Sequence, residues 1–524
     1  MQSLEDRDYF SDHVILKEPY AYFEAIRAKG PIYQLPASGI VVVTGFNEIL
    51  EVLKNTQDFS SVLAPQGPAA PLPFKPEGSD ITPQIEAHRT EFMGGDLVVS
   101  LDDAPHNLSR GLLTKLFTPS RLRANEQFIA EYSDQLVKDA VANGGCELIK
   151  EIATPFVTLV IADLLGVPPD DRQLFMDAIE AGVPPGSLNS DDLMAQNQPL
   201  VIMGMHFINY VQDRRQNPRA DILSELANAT YPDGSTPDAM EIVRLATFLF
   251  GAGQDTSAKL LGNTMKFIVD QPGLQDQLRS NPSLIPALLE EVLRLEGSTK
   301  MTARLARKDS HIGDLQVPAG TKVMLALAAA NRDPRRWENP EVFTLDRPRI
   351  KEHLAFGRGA HVCAGAPLAR TELRIILERF LEHTSKIELV EEKHGPQKNR
   401  NFNYEASFII RGLSDLHLKL TPKVGAKVET RRPGLFSFAA KPKKPADSPT
   451  RYSTAESKIG SLLADPAARA VIDKYFPDVS TDKRIAMAKG MTLRAVQKFA
   501  PDKFTTAALD AADADLAQLP MLQQ

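Results

Sequence analysis

The segment Phe356-Gly-Arg-Gly-Ala-His-Val-Cys-Ala-Gly365 sets one cysteine among three glycines, an aromatic ring and a histidine. A helical pattern opens just after it, at Ala366-Pro367-Leu368, and proline is favoured at a helix start. Cys363 therefore stands at a helix mouth, where free N–H groups and partial positive charge lower a thiol pKa and hold the thiolate. A thiolate serves as a nucleophile or as a soft metal ligand. Gly357, Gly359 and Gly365 let the backbone turn tightly and approach a flat ligand, and Phe356 can shield the sulfur from water. The other cysteine, Cys146, has no such surroundings. Two cysteines far apart supply neither a zinc site nor a disulfide framework.

Three further groups carry chemistry. His106 and Arg110 lie four residues apart behind Asp103 and Pro105, which mark a helix start, so both project from one face and suit a carboxylate. The run Leu245–Thr256 is apolar on nearly all faces, which predicts a buried helix. Gly251 and Gly253 weaken it, and Thr256 can bond back to a carbonyl one turn earlier, so a bend at Ala252–Thr256 is expected beside Asp255. Glu291 and Arg294 share a helix face at i, i+3 between apolar flanks.

Around these groups the chain mixes helices and strands. Helical patterns cover Gln127–Asn143, Ala239–Asp270, Ser283–Glu296 and Pro367–Thr384. Strand-like segments cover Gly39–Thr44, Gly320–Leu327, Phe408–Arg411 and Leu416–Leu420. Ala64–Asp103 and Gly182–Gln198 read as long loops. The 524 residues, 43% hydrophobic and 24% charged, have the balance of a folded soluble protein. Residues 1–422 carry 43 basic against 56 acidic side chains, which argues against nucleic acid as the main partner. Residues 423–453 are basic and rich in proline and lysine, as in an extended linker, and 454–524 read as a small all-α C-terminal appendage. No signal peptide or membrane anchor is expected, and the low cysteine content fits the cytoplasm.

The pattern F-G-x-G-x-H-x-C-x-G resembles the haem-binding loop of the cytochrome P450 family, and the motif order along residues 10–422 is similar to the family's. The resemblance implies a mainly α fold with a smaller β region, and haem b as cofactor. Cys363 would be the metal ligand. His106, Arg110, Arg304 and His361 would bind haem propionates, with Arg307 competing with Arg304. Phe356, Gly357, Ala252 and Gly253 would lie against the haem. Thr256 would hydrogen-bond dioxygen and Asp255 would relay protons. Glu291, Arg294 and Arg347 would form a structural network. The implied reaction inserts one oxygen atom from O₂ into a lipophilic small molecule, with electrons from a separate ferredoxin and ferredoxin reductase. Lys115, Arg121, Arg123 and Arg358 are candidates for docking that acidic partner. The pocket is expected from 64–103, 182–205, 245–252, 298–303 and 402–407. A peroxide-driven or isomerising enzyme, and a haem sensor with the tail as output, remain open readings. The tail itself is a candidate for protein contacts.

Overall fold

The structure, a computed structural model, describes residues 3–114, 116–180, 190–423, 452–455, 457–477, 479, 492–497 and 503–519. Two compact units divide the chain: Met1–Gln196 with His206–Leu435, and Asn197–Met205 with Phe436–Gln524.

Six helices of the first unit position the residues singled out above. They are α1 (Asp103–Thr114), α2 (Pro119–Ala142), α3 (Thr154–Leu165), α4 (Ala239–Asp270), α5 (Ile285–Glu296) and α6 (Ala366–His383). Their ends follow local chemistry. The Asp238 side chain accepts from Met240 N and opens α4. Proline stands in the first turn of α2, α3, α5 and α6. Gly166, at φ +76°, stops α3 in the left-handed conformation. The apolar α3 is buried along most of its length, and each Val, Leu or Ile sealed there contributes about 1.5–3 kcal/mol.

A five-stranded sheet lies in the same unit. Its strands are β1 (Ile32–Gln34), β2 (Val41–Val43), β3 (Phe59–Ser60), β4 (Thr302–Ala306) and β5 (Lys322–Leu325), in the order β1-β2-β5-β4-β3. Only β2 and β5 run parallel. Alternation sends successive side chains to opposite faces. On β4, Ala303 and Leu305 enter one apolar core, with Val42 and Met324. Thr302 and Arg304 point the other way.

Three expectations change. Phe408–Arg411 forms no strand, only a single bridge between Thr299 and Ile410. The Ser407 hydroxyl accepts from the N–H groups of Ile409 and Ile410, which turns the chain there. Ala64–Asp103 is not wholly loop, because Thr82–Ala87 is helical. Of Gly182–Gln198, residues 182–189 lie outside the described residues, and the rest belongs to a helix, Ser190–Gln216.

In the second unit the described helices are Ile459–Ala464, Pro466–Tyr475, Leu493–Gln497 and Thr506–Leu516. Asp465 caps the second of these ahead of Pro466, and Thr505 caps the last. Leu462, Ile472, Phe476, Leu493, Phe504 and Leu509 form its core. No described helix is long and apolar enough to cross a membrane.

Candidate active site

A cavity of about 330 Å³ lies within the first unit, with Cys363, Thr256, His106, Arg110, Arg304 and His361 all on its wall. The Cys363 N–H donates to Phe356 O at 2.9 Å, closing the loop. Gly357 and Gly359 take φ +68° and +77°, conformations that favour glycine. A Cβ on Gly359 would meet Leu53 O at 2.5 Å, so glycine also permits the loop to lie on the neighbouring backbone. Gly365, by contrast, caps α6 at an ordinary φ of −80°.

The thiol departs from its expected chemistry. Burial pushes the Cys363 pKa up, against the opposing pull of the Gly365 and Ala366 N–H groups and Arg110. The helix mouth acts in the predicted direction but does not outweigh desolvation. A bound metal cation would supply the missing stabilisation, since a coordinating thiol is deprotonated outright.

Four nitrogen-bearing side chains from three elements converge on the cavity. His106 and Arg110 come from α1, Arg304 from β4 and His361 from the cysteine loop. The His106 and His361 rings stand 4.1 Å apart between centroids. Burial, then the charges of Arg304, His106 and Arg110, push the His361 pKa down to about 2, so it is neutral. Desolvation lowers Arg304 to about 10. Buried His106 Nε2 meets no hydrogen-bond partner among the described residues. Arg110 donates to Val362 O, and Arg304 donates to Ala303 O at 2.7 Å. None of the four makes a described ion pair with a carboxylate. An enclosed cluster of donors of this kind fits an anion, and the two carboxylates of a haem match it in number and charge. Arg307 is excluded from the cavity: it binds the carboxylate of Asp103 and the carbonyls of Thr56 and Gln57.

On α4 the Thr256 hydroxyl donates to Ala252 O at 2.9 Å, and Ala252 and Gly253 also line the cavity. A Cβ on Gly253 would strike Ile161 at 2.7 Å, so this glycine lets α3 and α4 pack closely. The helix is continuous through Thr256. Asp255 is not among the residues that line the cavity. One residue rotates a helical side chain by about 100°, and Asp255 turns toward Lys259 instead.

Beneath these elements Glu291 accepts from Arg294 at 2.8 and 2.9 Å and from Arg347 at 2.9 and 3.0 Å. Backbone carbonyls of Asn331, Pro340, Glu338 and Val342 take the remaining guanidinium protons. Sequence reasoning missed the adjacent Glu290, which accepts from His353 and Arg370 and ties α5 to the cysteine loop and α6. Hydrogen bonds from both partners outweigh burial and hold its pKa near 2. It also missed Glu372, a buried acid on the cavity wall beside the Ser257 hydroxyl, which burial pushes up to about 8. The Leu-Glu-Glu-Val and Ala-Arg-Thr-Glu strings held both signals.

Other expectations meet the structure unevenly. Ala64, Val98, Phe248 and Ser298 lie on the wall as expected, but residues 402–407 do not, because their hairpin packs against the side of α4 that carries Lys259. The side chains of 182–202 fall outside the described residues. Arg121 pairs with Glu225 at the surface, Arg358 lines the cavity, Arg123 is exposed, and Lys115 is outside the described residues.

Fold and site together define a haem-thiolate oxidoreductase, and relatives agree. The Cytochrome P450 family model matches residues 205–406. Cytochrome P450 144 of Mycobacterium tuberculosis is 32% identical over 392 residues, covering 74% of this chain and 88% of that protein. The substrate-free structure of Mycobacterium marinum CYP150A6 is 46% identical with a TM-score of 0.75, covering 80% of this chain and 100% of that one. P450BioI, solved with an acyl carrier protein bearing hexadec-9Z-enoic acid, is 28% identical with a TM-score of 0.66, covering 78% and 99%. The chain belongs to the cytochrome P450 family, and it is a haem-dependent monooxygenase.

Proposed function

We propose that this protein inserts one oxygen atom from O₂ into a lipophilic small molecule with the help of haem b, whose iron Cys363 would hold. The observation that carries the reading is the meeting of Cys363 with four donor side chains that form no ion pair with a carboxylate among the described residues. The haem, when bound, supplies oxygen activation, and thiolate donation favours O–O cleavage. His106, Arg110, Arg304 and His361 hold its two propionates, with neutral His361 donating one N–H. Phe356, Gly357, Ala252 and Gly253 lie against the ring. Thr256 orients the oxygen end of the pocket, and Asp255 supplies protons to it from the far side of α4. Glu291, Arg294 and Arg347 keep α5 rigid under the loop.

The wall contributed by Val98, Phe248, Leu249 and Leu116 is apolar, which suits a lipophilic substrate. The fatty acyl group carried to P450BioI is one such class. Electrons come from a separate ferredoxin and its reductase, in a reducing cytoplasmic setting that keeps Cys363 free of disulfides. Residues 1–422 form the haem domain, 423–453 a linker, and 454–524 a helical module for protein contacts. Turnover under ¹⁸O₂ with reduced ferredoxin tests the reaction. One labelled atom per product is expected. Turnover with peroxide alone, and none with reduced ferredoxin, would overturn it.

A further inference from the structure

Behind α4, on the side away from the cavity wall, two half-buried acids and a buried lysine sit together. Lys259 stands one helical turn after Asp255. Its ammonium donates to Glu405 Oε1 and to Leu413 O. Glu405 and Leu413 belong to a hairpin closed by a bridge between Tyr404 and Leu413 and by the Glu405 N–H on Gly412 O. Gly412 makes room for the lysine, since a Cβ there would meet its Cβ, Cγ and Cδ at 2.3–2.7 Å. The site is therefore shaped around that side chain. Asp255 Oδ2 and Glu405 Oε2 are shielded from solvent and meet no hydrogen-bond partner among the described residues.

One ammonium offsets one carboxylate. A second carboxylate in the same enclosed space would remain uncompensated, and such a group takes up a proton instead. Burial pushes both acids up, and each is pulled back by Lys259. Lys300 also faces Glu405, but its amine donates to the carbonyls of Leu16 and Ser407 and to neither acid.

We propose that Lys259 and Glu405 are positioning residues that keep Asp255 in its acid form, so that two carboxyl groups share one ammonium and store one proton behind Thr256. On release, the Asp255 O–H bond breaks and a water or hydroxyl oxygen on the cavity side takes the proton. Lys259 then turns from Glu405 toward the new carboxylate, one helical turn away, and Glu405 or Asp255 is reprotonated from solvent. No electron moves. The inference rests on reading Asp255 as the proton source.

Infrared difference spectra of the haem-loaded protein at pH 7 read the stored proton as an acid C=O stretch. D255N and E405Q should each remove the same band, because one ammonium then faces one carboxylate. K259M should add a second band, because both acids become neutral. Glu372 contributes a band common to all variants, which cancels in the differences. E405Q should also raise the share of reducing equivalents lost as peroxide several-fold, with substrate binding unchanged, and E405D should restore coupling. A band that survives in E405Q overturns the cluster. If E405Q does not fold, an unchanged number of acid bands in K259M overturns it. Normal coupling in D255N would instead remove Asp255 as proton source, whatever the bands do.

Discussion

Two sets of buried charges lie in the same unit and differ in one respect. Around Glu291, the carboxylate faces Arg294 and Arg347, and backbone carbonyls absorb the spare guanidinium protons. Around the cavity, His106, Arg110, Arg304 and His361 meet with no ion-paired acid among the described residues. The first set is complete without a ligand and works as a lock. The second is costly until an anion arrives, which marks it as a binding site. Burial alone distinguishes neither; the count of partners does.

Breaking the lock gives the largest expected effect. Arg294→Met leaves the buried Glu291 with Arg347 as its one remaining guanidinium, and should cost about 3 kcal/mol in chemical denaturation. A loss under about 1 kcal/mol would show that the network is slack. At the cavity the same type of change should have the opposite sign in the haem-free protein. Arg304→Met should speed haem release about ten- to a hundredfold, since a charge-assisted hydrogen bond contributes about 1.5–3 kcal/mol. Without haem it should leave stability equal or higher, because a desolvated cation has been removed. Equal destabilisation of both forms would make Arg304 a structural residue like Arg294.

Acid sharpens the contrast through Glu290, a partnered acid like Glu291. Its folded pKa, about 2, lies below the ordinary 4.5. The stabilisation is therefore full above about pH 4.5 and is lost as pH falls through 2. Glu290→Gln should flatten the fall in unfolding free energy between those values. An effect of the opposite sign is expected at Glu372, whose folded pKa of about 8 lies above 4.5. Its folded state is penalised progressively as pH rises from 4.5 to 8. Glu372→Gln should leave Tm unchanged below pH 4.5 and raise it above pH 8. A fixed offset at all pH values would contradict that sign.

Much of this was legible in the residues. The bounds of α4 fall where an apolar run follows the Asp238 cap and ends at Asp270. Cys363 and its glycines are adjacent in sequence, so their purpose shows without a fold. Arg304 lies within β4 and Arg307 just beyond its end, and sequence left both open. Alternation along β4, once the core face is known, sends Arg304 to the cavity. The Asp255–Lys259 pairing was readable in principle, because the two lie four apart on one helix. Lys259 and Glu405 were not, since 146 positions separate them and only the Tyr404–Leu413 hairpin brings them together.

The central claim is a bond between the Cys363 sulfur and the haem iron, and the optical spectrum of the reduced carbonyl complex tests it most directly. The wild-type protein should show the spectrum of a thiolate-ligated haem, and Cys363→His should shift it to that of an imidazole-ligated one. A Cys363→Ala or Cys363→His protein with an unchanged spectrum would contradict the account.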